Sequence, residues 1–178
     1  MEQLSFQPLT PEDAGALAAV WSDPEVIRYT AILSPCTSEE IRRRIEALRP
    51  MDVFLIRRAG QAVGVAGCPP VDRERRVFGL FYQLRRSAWG QGVGTAAARW
   101  VLAHMERRYG APTTIYADVF RENAASVRIL RRLGFRLTGE EMAERGGEAL
   151  HLCRYEKILG GGTEGKAPES APGGICSD

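Results

Sequence analysis

Residues 77 to 108 read VFGLFYQLRRSAWGQGVGTAAARWVLAHMERR. From Val77 to Leu84 the residues are mostly β-branched, aromatic or aliphatic, which is the composition and length of a short strand. After Thr95 the apolar period changes from two to about 3.6. Val93, Ala97, Trp100, Val101, His104 and Met105 then share one helical face, and Gly110 and Pro112 stop the helix. Between strand and helix lies the loop Trp89, Gly90, Gln91, Gly92, Val93, Gly94, Thr95. Glycines at every second position let backbone N–H groups converge where a helix N-terminus brings the positive end of its dipole. Gly90 to Thr95 is therefore a candidate cradle for a phosphate or pyrophosphate, and His104, on the apolar stripe, is expected in the core.

The spelling separates this loop from two well-known cradles. A Walker loop closes on Gly-Lys-Ser/Thr, and no lysine occurs here. A dinucleotide fingerprint needs a third glycine where Thr95 stands, with an acid closing a second strand about 20 residues on. The remaining alternative is a glycine-rich turn without a ligand.

A second stretch decides between them. Asn123, Ser126, Leu130, Leu133, Gly134 and Phe135 form an N-x-x-S-x-x-x-L-x-x-L-G-F pattern about 30 residues beyond the loop. Together the two motifs resemble the acetyl-CoA site of the GNAT N-acetyltransferase superfamily, in the branch of the ribosomal-protein N-terminal (alanine/serine) acetyltransferases. The resemblance spans roughly Leu4 to Ile158. Trp89 departs from the Gln or Arg of the general pattern, an exchange expected to be tolerated because backbone N–H groups make the cradle. The resemblance implies an α+β, three-layer α/β/α fold with a mixed central sheet whose middle strands splay apart around the thioester arm of acetyl-CoA. It also implies cofactor contacts from Tyr82, Gln83 and Leu84, whose backbone would pair with the pantetheine arm, from Gly90, Gln91, Gly92, Val93, Gly94 and Thr95, and from Asn123 and Ser126. Ser126 is then the expected proton donor to the departing thiolate, because Leu130 occupies the place where many relatives carry a tyrosine.

At 178 residues and 44% apolar composition the chain fits one domain, expected over residues 1–159. Residues 160–178 carry six glycines, two prolines and Ile175 as the one large apolar residue, and are expected to be a disordered tail. The first residues show no basic and apolar signal pattern and no apolar run approaches a membrane span, so a soluble, cytoplasmic protein with no membrane partner is expected. Cys36, Cys68, Cys153 and Cys176 are scattered, which argues against a metal knot or disulfide framework. Net charge is +2, with 22 arginines and two lysines spread over every segment and no aromatic-interleaved stripe. That distribution argues against nucleic acid as a partner.

Local signals outline the remaining elements. Leu4 to Leu9 suits an opening strand. Thr10 and Pro11 start a helix, a short helical piece carries Val26, Ile27 and Tyr29, and Thr37 with Glu40 forms a capping box for a helix to Leu48 with Arg42 to Arg44 mostly outward. Ala59-Gly60 turns a hairpin between Val53–Arg57 and Val63–Cys68. Thr113 to Phe120 follows the loop helix as the parallel return of a βαβ crossover. Asn123 caps the next helix, and Phe135–Gly139 and Ala149–Ile158 close the sheet.

The expected activity is direct transfer of an acetyl group from acetyl-CoA to a primary amine, on a small molecule or a peptide N-terminus, by a monomer or homodimer without a metal. The general base is the open role. Relatives often carry a carboxylate on the central strand, where this chain has Gly79, Leu80 and Phe81, leaving His151 on a closing strand as the titratable candidate. An acceptor pocket is expected from Trp21 to Leu48 and the Gly139–Leu150 connection, with Trp21, Tyr29 and Ile32 as apolar surface and Glu140, Glu141, Glu144 and Glu148 as carboxylates for a cationic amine. The rival reading is a catalytically silent acyl-CoA-binding module.

Overall fold

The computed structural model describes residues 3–110 and 112–160, and the expected tail beyond Gly160 lies outside the described residues. In chain order the elements are β1 (Leu4–Pro8), a 3-10 turn (Pro11–Asp13), α1 (Ala14–Trp21), α2 (Pro24–Ile27), α3 (Ser38–Leu48), β2 (Val53–Arg58), β3 (Gln61–Gly67), β4 (Pro70–Asp72), β5 (Val77–Gly79) and β6 (Phe81–Leu84). A second 3-10 turn (Arg86–Ala88) leads to α4 (Val93–Tyr109), β7 (Thr113–Phe120), α5 (Ala124–Arg132), β8 (Arg136–Arg145) and β9 (Glu148–Leu159). No helix among the described residues is long and apolar enough to cross a membrane.

Local chemistry sets the ends of these elements. Thr37 and Glu40 close a reciprocal capping box on α3, with the Glu40 carboxylate accepting from the Thr37 N–H at 2.7 Å. Ala59 and Gly60 both take positive φ, 48° and 76°, the signature of a two-residue hairpin turn between β2 and β3. Helix α5 ends in a Schellman motif: the Phe135 N–H donates to Leu130 O and the Gly134 N–H to Arg131 O, with Gly134 at φ 79°.

The strands form two sheets, β1-β2-β3-β6 and β4-β5-β7-β9-β8. Helices cover both faces. One core contains Phe78, Val93, Ala97, Val101, Met105 and Ile115 beneath α4, and the other contains Leu17, Val20, Trp21, Ile41, Ile45 and Leu55 beneath α1 to α3. Strand alternation on β2 divides the cores, sending Leu55 to the second and Ile56 to the first. The result is the three-layer α+β arrangement expected from the sequence.

The expected single strand Val77–Leu84 is broken at Leu80. Strand β5 pairs in parallel with β7, Val77 opposite Thr114, and the last bond of that ladder runs from the Leu80 N–H to Tyr116 O at 2.7 Å. Beyond it, β6 pairs with β3 alone, Leu84 opposite Gly64. Gly64 is required there, since a Cβ would run into the Gln83 carbonyl. The closing strands are also longer than expected and form one continuous hairpin turned by Gly146 and Gly147, at φ 60° and 83°. Glu140, Glu141 and Glu144 therefore lie within β8 and Glu148 begins β9, instead of forming a loop.

Candidate active site

The break at Leu80 opens the site. Strand β6 is an edge of its sheet, while β7 beyond Tyr116 pairs only with β9, so the two strands diverge with free backbone edges facing the gap. A cavity of about 820 Å³ fills it, reached by Leu80 to Leu84 on one side and Ala117 to Phe120 on the other. Its size suits a ligand with a long arm.

At one end stands the glycine loop. Gly92 is the N-cap of α4 at φ 77°, ψ −2°, without a side-chain cap. The first helical bond runs from the Ala96 N–H to Gly92 O, which leaves the N–H groups of Val93, Gly94 and Thr95 without intrahelical acceptors. Gly90 also holds a positive φ, 70°, in open space. Gly94 is glycine for a different reason: a Cβ would come 3.1 Å from Ile129 Cδ1 and 3.7 Å from the Tyr82 ring. Trp89 fastens the loop to the strand, its indole N–H donating to Leu84 O at 2.8 Å. Gln91 braces the outer side, donating to Ser87 O at 2.7 Å and accepting from Arg58 at 2.6 Å. These bonds hold open a cluster of unsatisfied donors at the positive end of a 17-residue helix, an arrangement able to receive an anion.

The start of α5 meets the middle of the cavity. The Asn123 side chain accepts from the Ser126 N–H at 3.2 Å, so the expected cap is present and Ser126 is fixed in the first turn. Asn123, Ser126 and Leu130 all line the cavity, as does Tyr82. The Tyr82 hydroxyl is buried and makes no well-formed hydrogen bond among the described residues. Burial pushes its pKa up, and Ser126 lies close enough to oppose part of that shift, so the contact is a near approach rather than a made bond. The structure thus gathers Tyr82, Gln83, Leu84, Gly90, Gly94, Asn123 and Ser126 around one cavity.

The other end is built by α1 to α3. Trp21, Tyr29 and Ile32 line it as expected, and Trp21 donates through its indole N–H to the Gln83 side chain at 2.6 Å. Arg145 reaches over from β8 to the carbonyls of Ile27, Arg28 and Ile32, closing this wall. The four glutamates expected here are not among the lining residues. Glu140 instead meets Arg121 at 2.6 Å, which draws its carboxyl below the ordinary value.

His151 is not brought to the cavity. Its β9 neighbour Leu152 lines it, and strand alternation turns His151 to the opposite face, where Nδ1 lies 3.1 Å from Glu122 Oε1. That contact lowers the Glu122 pKa. His104 is also displaced from its expected core position. It is half-buried beside the Trp100 ring and bonded at 2.9 Å to Asp52, which also accepts from the Tyr109 hydroxyl at 2.6 Å. Asp52 carried no local signal in the sequence, because its partners are more than 50 residues away.

A model of the acetyltransferase (GNAT) domain matches residues 3–136, and the chain belongs to that family of acetyltransferases. A curated relative, the uncharacterized N-acetyltransferase p20 of Bacillus licheniformis, is 26% identical over 150 residues, 78% of this chain and 82% of that protein. Among solved structures, a ribosomal-protein-alanine N-acetyltransferase from Brucella melitensis is 25% identical with a TM-score of 0.75, over 88% of this chain and 99% of that one. A ribosomal-protein α-N-acetyltransferase in complex with coenzyme A aligns at TM-score 0.79 and 20% identity, over 88% and 94% of the two chains. A putative acetyltransferase from Salmonella typhimurium, solved with acetyl-CoA, aligns at TM-score 0.74 and 20% identity, over 96% and 99%. The fold is the one the two sequence motifs imply, and the similar solved structures include ribosomal-protein N-acetyltransferases, the branch those motifs resemble.

Proposed function

We propose that this acetyltransferase moves the acetyl group of acetyl-CoA directly to a primary amine while both substrates occupy the β6–β7 gap. The observation that carries the reading is the gap itself, which runs from unsatisfied N–H groups at the start of α4 to a wall of aromatic, apolar and charged side chains at α1 to α3. Acetyl-CoA fits these residues. Val93, Gly94 and Thr95 would hold its pyrophosphate through backbone N–H groups, with Gly90 and Gly92 giving the loop its left-handed turns and Gln91 bracing it. The free edge of β6 at Tyr82, Gln83 and Leu84 would pair with the amide-rich arm. The relatives solved with coenzyme A and with acetyl-CoA support the same co-substrate.

Acetyl-CoA supplies an acyl group activated as a thioester; the protein supplies position and proton traffic. One C–N bond forms, one C–S bond breaks, the amine gives up a proton and the departing thiolate gains one. Ser126, fixed by its cap, is the donor we assign to the thiolate. On the amine side the cavity offers Glu25 and Asp118 as carboxylates, and Arg154 engages Asp118 through two bonds of 2.8 and 2.9 Å. Glu25 therefore remains to receive the amine proton through water.

Thiol release from acetyl-CoA, followed over a panel of amino acids, polyamines, aminoglycosides and short peptides, tests the reading. At least one acceptor is expected, with a rate that rises with pH as the acceptor amine loses its proton. Tight acetyl-CoA binding with no thiol release across the panel would instead make the protein a silent acyl-CoA-binding module.

A further inference from the structure

The wall opposite the glycine loop contains a half-buried arginine whose Nε–H has no acceptor among the described residues. Ile41, Arg44, Ile45 and Leu48 follow i, i+3, i+4, i+7 spacing on α3, so Arg44 lies on the apolar face that packs inward, unlike its neighbours Arg42 and Arg43. Its guanidinium carbon sits 5.6 Å from the centre of the Trp21 ring. Its Nε is buried and has no hydrogen-bond partner among the described residues, and the side chain lines the cavity. A buried guanidinium N–H without an acceptor is costly, and such groups are normally paired.

Glu40, one turn earlier on α3, interacts with Arg44 through charge, but its carboxylate is hydrogen-bonded to Thr37 and it does not line the cavity. Arg28 and Arg145 lie on the same wall, and Arg145 is already committed to three main-chain carbonyls. Of the cavity carboxylates, Asp118 is engaged by Arg154, and Glu25 is exposed without an ion pair among the described residues. The wall therefore carries more positive than negative charge. Trp21 joins it to the middle of the gap, since the indole beneath Arg44 is bonded to Gln83 on β6.

We propose that Arg44 determines acceptor specificity, and that the acceptor amine is carried on a molecule that also bears a carboxylate, which the Arg44 guanidinium binds. The proposal rests on the acetyl-transfer reading and narrows its substrate class, from any primary amine to amino acids and peptides with a carboxylate near the amine. Planar guanidinium–carboxylate pairing accounts for an arginine at this position, and the Trp21 face orients it.

The test uses the full chain and matched acceptors: free amino acids beside their C-terminal amides, and short peptides with Asp or Glu at the second position beside the Asn or Gln forms. Acid members are expected to show a KM at least tenfold below their neutral partners. Arg44→Gln should raise KM for the acid members by at least tenfold, with a smaller change in kcat, and remove the discrimination; Arg44→Lys should restore part of it. Coenzyme A affinity and melting temperature verify that each variant is folded. Equal KM for acid and neutral partners in the native protein, or an equal loss for both in Arg44→Gln, overturns the proposal. If no acceptor is acetylated, calorimetry of the same pairs against the coenzyme A-loaded protein decides. A preference for acids that disappears in Arg44→Gln upholds the specificity role while acetyl transfer fails, and absence of a preference removes it.

Discussion

Ser126 and Tyr82 show how little separates a packing residue from a working one. Ser126 has its N–H engaged by Asn123 and lines the cavity, whereas Tyr82 has a buried hydroxyl with no bond made and a ring packed against Gly94. Removing a hydroxyl that makes no hydrogen bond forfeits no bond and relieves a desolvation cost. Tyr82→Phe should therefore leave the melting temperature unchanged or raise it, while Ser126→Ala should lower turnover by about 10²-fold, the low end of general acid catalysis, with little change in acetyl-CoA affinity. A fall of several degrees in Tyr82→Phe would mean that the hydroxyl has a partner. Full turnover in Ser126→Ala would make the serine a packing residue and leave the proton to water.

Helix α4 and its loop act as one element, and Gly92 joins them. At φ 77° the position tolerates asparagine at modest strain, because Asn adopts the left-handed region more readily than most residues. Aspartate has nearly the same shape and adds a negative charge beside the open N–H groups. If those groups hold a pyrophosphate, Gly92→Asp should weaken acetyl-CoA binding at least tenfold, or about 1.4 kcal/mol, relative to Gly92→Asn. Equal calorimetric affinities for the two folded variants would remove the cradle.

At the scale of the whole molecule, the two sheets meet through Leu80 and then part, so the site is a seam between two halves of the structure. A ligand that fills the seam and binds only the native state stabilises it by mass action, about 2.7 kcal/mol at a hundred times its dissociation constant. For a chain of this size the melting temperature should rise by roughly 5–10 °C with saturating acetyl-CoA. Hydrogen exchange should slow together at the start of α4, along β6 and at the start of α5. Protection confined to the loop would argue that the arm does not enter the gap.

Features set by a few neighbouring residues were legible in the sequence. The loop glycines, the Thr37–Glu40 box, the Ala59-Gly60 turn, the Asn123 cap and the Gly134 stop were each read from local spelling, because backbone dihedrals and end-capping depend on residues three or four apart. Family membership and the splayed α+β fold followed from two such motifs taken together. Features set by pairing across the chain were not legible. The break at Leu80 comes from competition between β3 and β7 for one strand, and the long β8–β9 hairpin drew four glutamates out of the expected pocket. The face of His151 follows from the register of β9 against β7, since a one-residue difference in alternation decides whether a strand side chain meets the cavity or its reverse. Arg44 is a further correction: expected mostly outward with Arg42 and Arg43, it is half-buried over Trp21 beside the cavity, because the packing of α3 on α1 decides which side of the helix is covered. Sequence alone specified the turns, caps and motif order, which are short-range. Tertiary structure decided which side chains share the gap, because that depends on sheet register and helix packing between distant segments.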